Sequence, residues 1–340
     1  MEGLVSAARP EGSAHREVLV DIAGRLGAAA RVDAPLGALT TYRVGGPAAL
    51  ALDVTTEEEL AGLHEALAVA GGAGSVPVLV MGNGSNLLVA DAGFDGVVVR
   101  LGGALAAVEL CDGVGADGER TVVRAGGGTG LPVLARRTVD AGWTGLEWAV
   151  GIPGTVGGAL KMNAGGHGSD TAACLVRYRW MDIVGGSGGE AGPERLRLGY
   201  RSSALSESEV VVWAELDVRR GDVDTGRAAL SEIVRWRRAH QPGGSNAGSV
   251  FTNPPGDSAG RLVEAAGLKG FRLGSARVSE KHANFIQADD GGSAADVVAL
   301  MAHVRRAVAA SSGVWLRPEV KLVGFGRDPL GDDDAGTVAR

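Results

Sequence analysis

A glycine-rich turn, GNGSNLL at residues 82–88, is the first segment whose residue types could bind a ligand. It follows the apolar run 76–81, and a β-branched run at residues 97–101 comes after it, so the pattern predicts strands on both sides. Glycine and serine allow backbone N–H groups to turn toward phosphate oxygens. A Rossmann site is excluded, because no helix begins at this turn and no third glycine falls in register. A plain turn between strands remains the alternative.

A second glycine-rich stretch, residues 151–168, carries more information. Residues 153–154 are Pro-Gly and predict a turn, and residues 156–162 could form one or two helical turns. Gly157 and Gly158 would let a planar or anionic ligand approach the backbone closely. A glycine-dense turn without a ligand is again the alternative, since glycine is abundant throughout this chain, with 56 residues.

Other residues that could do chemistry lack the required context. The run 126–130 is interpreted as a plain turn, and GGSGG at 185–189 matches a nucleophile elbow but has no helix behind it. The 6 histidines never fall at helical i, i+4 spacing or beside a carboxylate cluster, so no metal site is predicted. Cys111 and Cys174 stand alone, which fits reduced thiols better than a disulfide or a zinc site.

Composition excludes several classes of function. The net charge of −7 argues against nucleic-acid binding, which needs a basic face. No run of 18 apolar residues exists to cross a membrane, and the first 33 residues lack a signal-peptide pattern, so we expect a cytoplasmic protein.

Chain length and hydrophobic patterning predict the domain organisation. For 340 residues, a typical domain size of about 150 residues suggests two or three domains. We predict an N-terminal extension at 1–33, a cofactor domain at 34–221, a C-terminal domain at 222–326 and a polar tail at 327–340. A helix beginning at Ser293 carries a clean apolar stripe and supports the third of these units.

Taken together, these motifs resemble the UDP-N-acetylenolpyruvoylglucosamine reductase family. Any one motif would be weak, but they occur in the family's order across most of the chain. They are TYRVGGP at 41–47, GNGSNLL at 82–88, GFDG at 93–96, the loop at 151–168, YRSS at 200–203, AGSVF at 247–251 with Asn253 and Pro254, GLKG at 267–270, VSEKHANF at 278–285 and PEV at 318–320.

The resemblance implies an α+β protein. An FAD-binding domain of the vanillyl-alcohol oxidase type would be followed by a smaller α+β domain that closes over the substrate. It also implies that NADPH reduces FAD, which then reduces UDP-N-acetylglucosamine-enolpyruvate to UDP-N-acetylmuramate in peptidoglycan precursor synthesis. We expect this small molecule as the partner, and a monomer.

The resemblance assigns catalytic roles to three residues. Arg201 and Glu319 would stabilise the enolic intermediate, and Ser249 would donate the proton. A guanidinium suits this role because hydride addition pushes negative charge onto the substrate carboxyl group. Glu319 could contribute only if protonated or hydrogen-bonded, and Ser249 needs a neighbour that stabilises its alkoxide. Without the resemblance, all three would be interpreted as ordinary ion-pair, turn and strand residues.

Binding residues follow from the same motifs. Tyr200 and Asn253 are matched to substrate contacts. The predicted cofactor-binding residues are Gly82, Asn83, Gly84, Ser85, Asn86, Leu87, Gly151, Ile152, Pro153, Gly154, Thr155, Gly157, Gly158, Asn163 and Gly165.

The chain departs from the family pattern at three positions, which concern substrate contacts. Thr252 replaces the usual lysine, Arg317 stands where an acidic residue is frequent, and His167 occupies a position often held by tyrosine. No tyrosine follows Tyr200, which indicates the subgroup without a tyrosine-bearing loop. Two other functions remain open: an FAD-dependent alcohol oxidase of the same fold, and a non-catalytic nucleotide-sugar binding protein.

Overall fold

The fold is described from a computed structural model, which covers residues 4–5, 13–70, 76–111 and 120–331. The helices are α1 Ser13–Leu26, α2 Glu57–Val69, α3 Leu131–Asp140, α4 Val156–Met162, α5 Thr171–Cys174, α6 Val223–His240, α7 Ala259–Ala265 and α8 Ala294–Ser312. Short 3₁₀ turns lie at Gly27–Ala29, Gly37–Leu39, Gly103–Ala106, Glu147–Gly151 and Pro193–Leu196.

The strands form several sheets of mixed and antiparallel pairing. In chain order they are β1 Leu4–Val5, β2 Ala30–Ala34, β3 Ala48–Val54, β4 Val78–Val80, β5 Leu87–Val89, β6 Phe94–Leu101, β7 Val108–Cys111, β8 Arg120–Gly126, β9 Trp143–Thr144, β10 Gly165–Gly166, β11 Ser169–Asp170, β12 Leu175–Asp182, β13 Gly188–Ala191, β14 Glu209–Arg220, β15 Arg272–Leu273, β16 Ala276–Val278, β17 Ile286–Ala288 and β18 Lys321–Val323.

The N-terminal sheet has the strand order β2-β3-β6-β4 and is covered by α1 and α2. Strands β3 and β6 are parallel, and α2 begins where the Thr56 hydroxyl accepts a hydrogen bond from Glu59 N–H at 3.2 Å. On α1, Leu19 and Ile22 are buried in the same core as α2. The part of the predicted extension that the structure describes is therefore integrated into this unit, because it supplies most of an edge strand and core side chains. Residues 1–3 and 6–12 lie outside the described residues.

A larger antiparallel sheet, ordered β13-β12-β14-β8-β7, packs against α3, α4 and α6. Burial raises the pKa of Cys174, which lies in this core, to about 12, while the Cys111 side chain lies outside the described residues. Helix α6 contributes Leu230 to the same core, although the boundary predicted at residue 222 would assign α6 to the C-terminal domain. This packing favours a boundary after His240, which we propose instead.

The C-terminal part consists of the antiparallel sheet β15-β16-β17 with α7 and α8. The predicted stripe on α8 is confirmed, since it is buried in one core. Strand β18 leaves this part and pairs in parallel with β5, so a backbone ladder joins it to the glycine loop at 82–88. In the predicted polar tail, Leu330 is buried in the C-terminal core, and residues 332–340 lie outside the described residues.

Tyr42 gives a first prediction about stability. Its side chain is fully buried in the C-terminal core, and its hydroxyl has no hydrogen-bond partner among the described residues. An unsatisfied buried hydroxyl costs about 1 kcal/mol or more. We expect Tyr42→Phe to raise the free energy of unfolding by about 1 kcal/mol in urea titrations.

Tyr178→Phe is the matched control for this prediction. The Tyr178 hydroxyl is also in a buried residue but accepts a hydrogen bond from Arg195 at 2.9 Å. We expect this variant to lose about 1 kcal/mol, because Arg195 is left without that acceptor. Equal destabilisation of both variants would show that the Tyr42 hydroxyl is satisfied.

Candidate active site

Glycines in the loop between β4 and β5 allow this loop to pack closely against neighbouring segments of the chain. A Cβ on Gly82 would lie 2.3 Å from the Thr155 hydroxyl oxygen, and Gly84 has a φ of +61°. The carbonyl of Gly84 accepts a hydrogen bond from Thr41 N–H at 3.2 Å. The glycines therefore allow this loop to lie directly against the second glycine loop.

The second glycine loop is hydrogen-bonded to the first and to the glycine-rich turn at 126–130. The Asn83 side chain donates to the carbonyls of Pro153 and Gly154, at 3.0 and 3.3 Å. The Gly157 N–H donates to the carbonyl of Gly127 at 2.8 Å. Residues 126–130, interpreted from sequence as a plain turn, thus form part of the same structure.

These loops line a cleft of about 520 Å³. That volume lies within the range of roughly 300–1,000 Å³ that small-molecule and cofactor sites occupy. The glycine backbone forms one wall, where a Cβ would fill space, and this arrangement fits a phosphate-bearing ligand. The predicted cofactor residues that line the cleft are Gly82, Asn83, Gly84, Ser85, Asn86, Leu87, Ile152, Pro153, Gly154, Thr155, Gly157, Gly158 and Gly165.

Two predicted cofactor residues do not line the cleft. A Cβ on Gly151 would lie 3.1 Å from a methyl of Ile233, so this glycine allows α6 to pack closely. Asn163 ends α4 with a φ of +39°, donates to the carbonyl of Gly199 at 3.0 Å and accepts from Ala172 N–H at 3.0 Å. The amide nitrogen and oxygen of Asn163 are therefore both hydrogen-bonded to backbone, and the first of these bonds positions the segment that leads to Arg201.

Arg201 lines the cleft in a constrained conformation. Its φ is +53°, just inside the bridge between Gly199 and Ser202. Its Nε lies 2.9 Å from a carboxylate oxygen of Glu319, but it lacks an aligned hydrogen-bond partner among the described residues. The terminal nitrogens make only long contacts of 3.4 and 3.5 Å to the carbonyl of Gly165. The guanidinium therefore has donors available for a ligand carboxylate.

Glu319 is fixed from three directions. Its N–H donates to the carbonyl of Val250 at 2.7 Å, and its carbonyl accepts from the Asn86 side chain at 3.0 Å. Its carboxylate, only 14% exposed, faces Arg201. Burial raises the pKa of Glu319 above its ordinary value, although Arg201 opposes this shift. The carboxyl group thus keeps its proton to higher pH than an exposed glutamate does.

Ser249 reaches the cleft on a segment that Asn284 holds in place. Buried Asn284 accepts from the N–H of Phe251 at 3.0 Å and donates to the carbonyl of the same residue at 2.8 Å. Its own carbonyl accepts from Val250 N–H at 2.8 Å. Because Val250 also binds Glu319, Ser249 and Glu319 lie on adjoining segments. Asn284 belongs to the motif at 278–285, but no role was predicted for it from the sequence.

The predicted substrate residues lie outside the cleft lining. Tyr200 is 61% exposed, with its ring centroid 5.4 Å from the Arg201 guanidinium carbon. Asn253 accepts from Ala259 N–H at 3.0 Å, so its side chain oxygen supports the start of α7. Their assignment to substrate contacts stays a prediction.

Several cleft residues were missed from the sequence. Lys161 donates to the carbonyl of Leu205 at 2.6 Å and pairs with Glu207 at 3.0 Å. Arg237 in the last turn of α6 and Gln241 directly after that helix line the cleft, and burial lowers the pKa of Arg237. Their i, i+4 spacing was the only available signal, and it is common to many helices. Other missed residues include Thr41, Gly127, Gly128, Lys321 and Asn246.

The described residues contain neither a cluster of metal ligands nor a membrane-spanning helix. No group of three or more His, Cys, Asp or Glu side chains is placed to hold a metal ion within those ranges. Among the helices that the structure describes, none is long and apolar enough to cross a membrane.

Comparison with known proteins bears directly on the cleft. Residues 48–188 match the model of an FAD binding domain, and residues 240–323 match the C-terminal domain of UDP-N-acetylenolpyruvoylglucosamine reductase. The reductase of Rubrobacter xylanophilus is 43% identical over 303 residues, covering 88% of this chain and 97% of that protein. The chain belongs to the UDP-N-acetylenolpyruvoylglucosamine reductase family. The reductase of Heliobacterium modesticaldum is also 43% identical, with coverages of 89% and 92%.

A solved structure of this reductase family supports the fold. The crystal structure of the Thermus caldophilus enzyme is 35% identical, with a TM-score of 0.71, and the match covers 86% of this chain and 99% of that one. The predicted α+β fold, an FAD-binding domain followed by a C-terminal domain of this family, is confirmed. The chain is an FAD-binding oxidoreductase.

Proposed function

We propose that this enzyme uses NADPH to reduce UDP-N-acetylglucosamine-enolpyruvate to UDP-N-acetylmuramate in peptidoglycan precursor synthesis. The observation that carries the proposal is that Arg201, Ser249 and Glu319 come from three separate segments and line the same cleft as both glycine loops. A bound flavin would supply hydride transfer from NADPH to the enol ether double bond of the substrate, and the two glycine loops would hold it. The protein residues must orient the substrate and handle the resulting charge and proton.

Arg201 binds the substrate carboxyl group in this proposal. Hydride addition to one alkene carbon moves negative charge toward the carboxyl group on the other. The guanidinium has unused donors and is only partly exposed, and it would interact more strongly with the carboxyl group as charge develops there than in the ground state.

Ser249 supplies the proton to the carbon that becomes carbanion-like. A serine hydroxyl is a weak acid, so it must lie directly against that carbon and its alkoxide must be stabilised. The strand contacts that join Val250 to Asn284 and Glu319 hold Ser249 beside the Arg201–Glu319 pair. In this proposal Arg201, which lines the same cleft as Ser249, stabilises the alkoxide.

Glu319 acts in its protonated form, which its raised pKa favours. A substrate carboxylate bound at Arg201 raises that pKa further, because a second negative charge disfavours ionisation. The protonated carboxyl group then donates a hydrogen bond to the enolic intermediate. An ionised Glu319 would repel it.

This assignment predicts a pH dependence. The rate of flavin reoxidation by substrate should fall as pH rises through the raised pKa of Glu319, because the acid form is lost there. Glu319→Gln, which cannot ionise, should slow the reaction but remove this alkaline limb. Stopped-flow flavin absorbance between pH 5 and about 9 measures this pH dependence of the reoxidation rate. If the rate of Glu319→Gln still falls at alkaline pH as in the wild type, the titrating group is another residue.

Three finer points extend the proposal. NADPH is the expected reductant, and the absence of a tyrosine after Tyr200 supports the subgroup without the tyrosine loop. The monomeric state and the cytoplasmic location expected from the sequence stay predictions. An alcohol oxidase of the same fold would not need Ser249 or Glu319, and a silent binding protein would not need any of the three residues.

The direct test is NADPH consumption by purified yellow protein, with and without UDP-N-acetylglucosamine-enolpyruvate. We expect substrate-dependent oxidation of NADPH and formation of UDP-N-acetylmuramate, identified by its mass. Turnover that requires an alcohol and oxygen instead would favour the oxidase, and binding without turnover would favour the silent protein.

A further inference from the structure

Asn86 lies in the glycine loop at 82–88, but its side chain contacts the segment that carries Glu319. Its amide nitrogen donates to the carbonyl of Glu319 at 3.0 Å. Its own carbonyl accepts from Lys321 N–H at 3.0 Å. These two bonds come immediately before the parallel pairing of β5 with β18. One residue of the loop therefore binds the backbone on both sides of Val320.

We propose that Asn86 is a positioning residue that holds Glu319 against Arg201, which deepens the proposed function and rests on it. The ladder between β5 and β18 begins at Leu87 and Lys321, so Glu319 lies beyond its end. The Asn86 side chain extends the connection to Glu319. Among the described residues, the direct contact of Glu319 with the FAD-binding domain that would remain without it is that of its carboxylate with Arg201.

The other contacts of Glu319 do not replace this one. Its N–H is bound to Val250, which belongs to the same C-terminal part, and this bond fixes Glu319 relative to Ser249. The Asn86 bond fixes it relative to the cofactor loop. Loss of the second contact would allow small displacements of the carboxyl group, and shifts of about 1 Å can cost about 100-fold in rate.

Asn83 provides a matched control within the same loop. It is also an asparagine whose amide donates to backbone carbonyls, but those belong to Pro153 and Gly154 of the second glycine loop. Asn83→Ala should therefore loosen the cofactor loops, while Asn86→Ala should loosen Glu319.

The first experiment compares the half-reactions of the two variants as holoenzymes. In holoenzyme saturated with FAD, we expect Asn86→Ala to slow reoxidation by substrate by roughly 10- to 100-fold more than it slows flavin reduction by NADPH. Asn83→Ala should weaken FAD binding and slow both half-reactions. If Asn86→Ala instead slows both half-reactions equally, Asn86 acts on the cofactor and the proposal is wrong.

A second readout does not depend on turnover. In holoenzyme with ¹³C-labelled glutamate carboxyl groups, the Glu319 resonance is assigned by its loss in Glu319→Gln and titrated by NMR. We expect Asn86→Ala to lower the pKa of Glu319 toward its ordinary value, because a less confined carboxyl group is better hydrated. Asn83→Ala should leave it unchanged. An unchanged pKa in Asn86→Ala contradicts the proposal, even if the wild-type enzyme proves to act on another substrate.

Discussion

Ser249→Ala should slow flavin reoxidation by UDP-N-acetylglucosamine-enolpyruvate by roughly 10²- to 10⁴-fold, the usual contribution of a positioned general acid. Flavin reduction by NADPH should stay near normal, because that step needs no proton from Ser249. The expected large effect follows from geometry, since Ser249 lines the cleft on a segment braced by Asn284 and joined to Glu319. Rapid-mixing absorbance of the flavin measures each half-reaction separately.

Ser245→Ala is the control for this variant. Ser245 precedes Ser249 by four residues and is buried, but it bridges to Ala288 and does not line the cleft. It should leave both half-reactions within a few-fold of the wild-type rates. If Ser249→Ala slows the two half-reactions equally, Ser249 supports the fold or the cofactor and is not the proton donor.

Arg201→Lys should slow the same reoxidation step by roughly 10²- to 10³-fold, as expected for loss of a preorganised donor to a developing negative charge. Lysine keeps the positive charge but loses the planar fork that contacts both a carboxylate and Glu319. Because the carboxyl group is also present in the ground state, we expect weaker substrate binding as well. A stopped-flow series in substrate concentration separates the two effects.

Arg177→Lys is the corresponding control, on strand β12 of the larger sheet. Arg177 forms ion pairs with Glu215 and Glu190 but does not line the cleft. It should leave both half-reactions unchanged. An Arg201→Lys enzyme with wild-type reoxidation would remove the guanidinium from the proposed chemistry.

The glycine loops show how far a local pattern can be interpreted. The strands in the runs 76–81 and 97–101 and the helical turns at 156–162 were predicted correctly, because each depends on residues next to each other in sequence, whereas the short strand β5 was not predicted. The role of residues 126–130 was missed, since it depends on a hydrogen bond between Gly127 and Gly157. Glycine composition alone does not distinguish a cleft wall from a plain turn.

The domain boundary at residue 222 stays a prediction, and the packing of α6 shows why the sequence pattern alone does not place it. The apolar face of α6 is visible in the sequence, but the pattern does not say which core receives it. The same holds for α1, where Leu19 and Ile22 pack beneath a sheet formed by later residues. Helical periodicity predicts which face of a helix is buried, but it does not predict which sheet or core that face packs against.

The candidate catalytic residues were found by family resemblance, and their arrangement came from the structure. No local pattern joins Arg201 to Glu319, or Asn86 to the Glu319 carbonyl 233 residues away. Asn86 was predicted as a cofactor residue because of its loop, and it does line the cleft. Its side chain, however, donates to the backbone carbonyl of Glu319, a contact that only the three-dimensional structure reveals.

Anaerobic single turnover tests the central claim most directly. The enzyme-bound flavin is first reduced without oxygen and is then mixed with UDP-N-acetylglucosamine-enolpyruvate while its absorbance is followed. We predict that the yellow colour returns and that one UDP-N-acetylmuramate forms for each flavin reoxidised. A reduced flavin that is indifferent to this substrate but is reoxidised on admission of oxygen would contradict the assignment of Arg201, Ser249 and Glu319 to enolpyruvyl reduction.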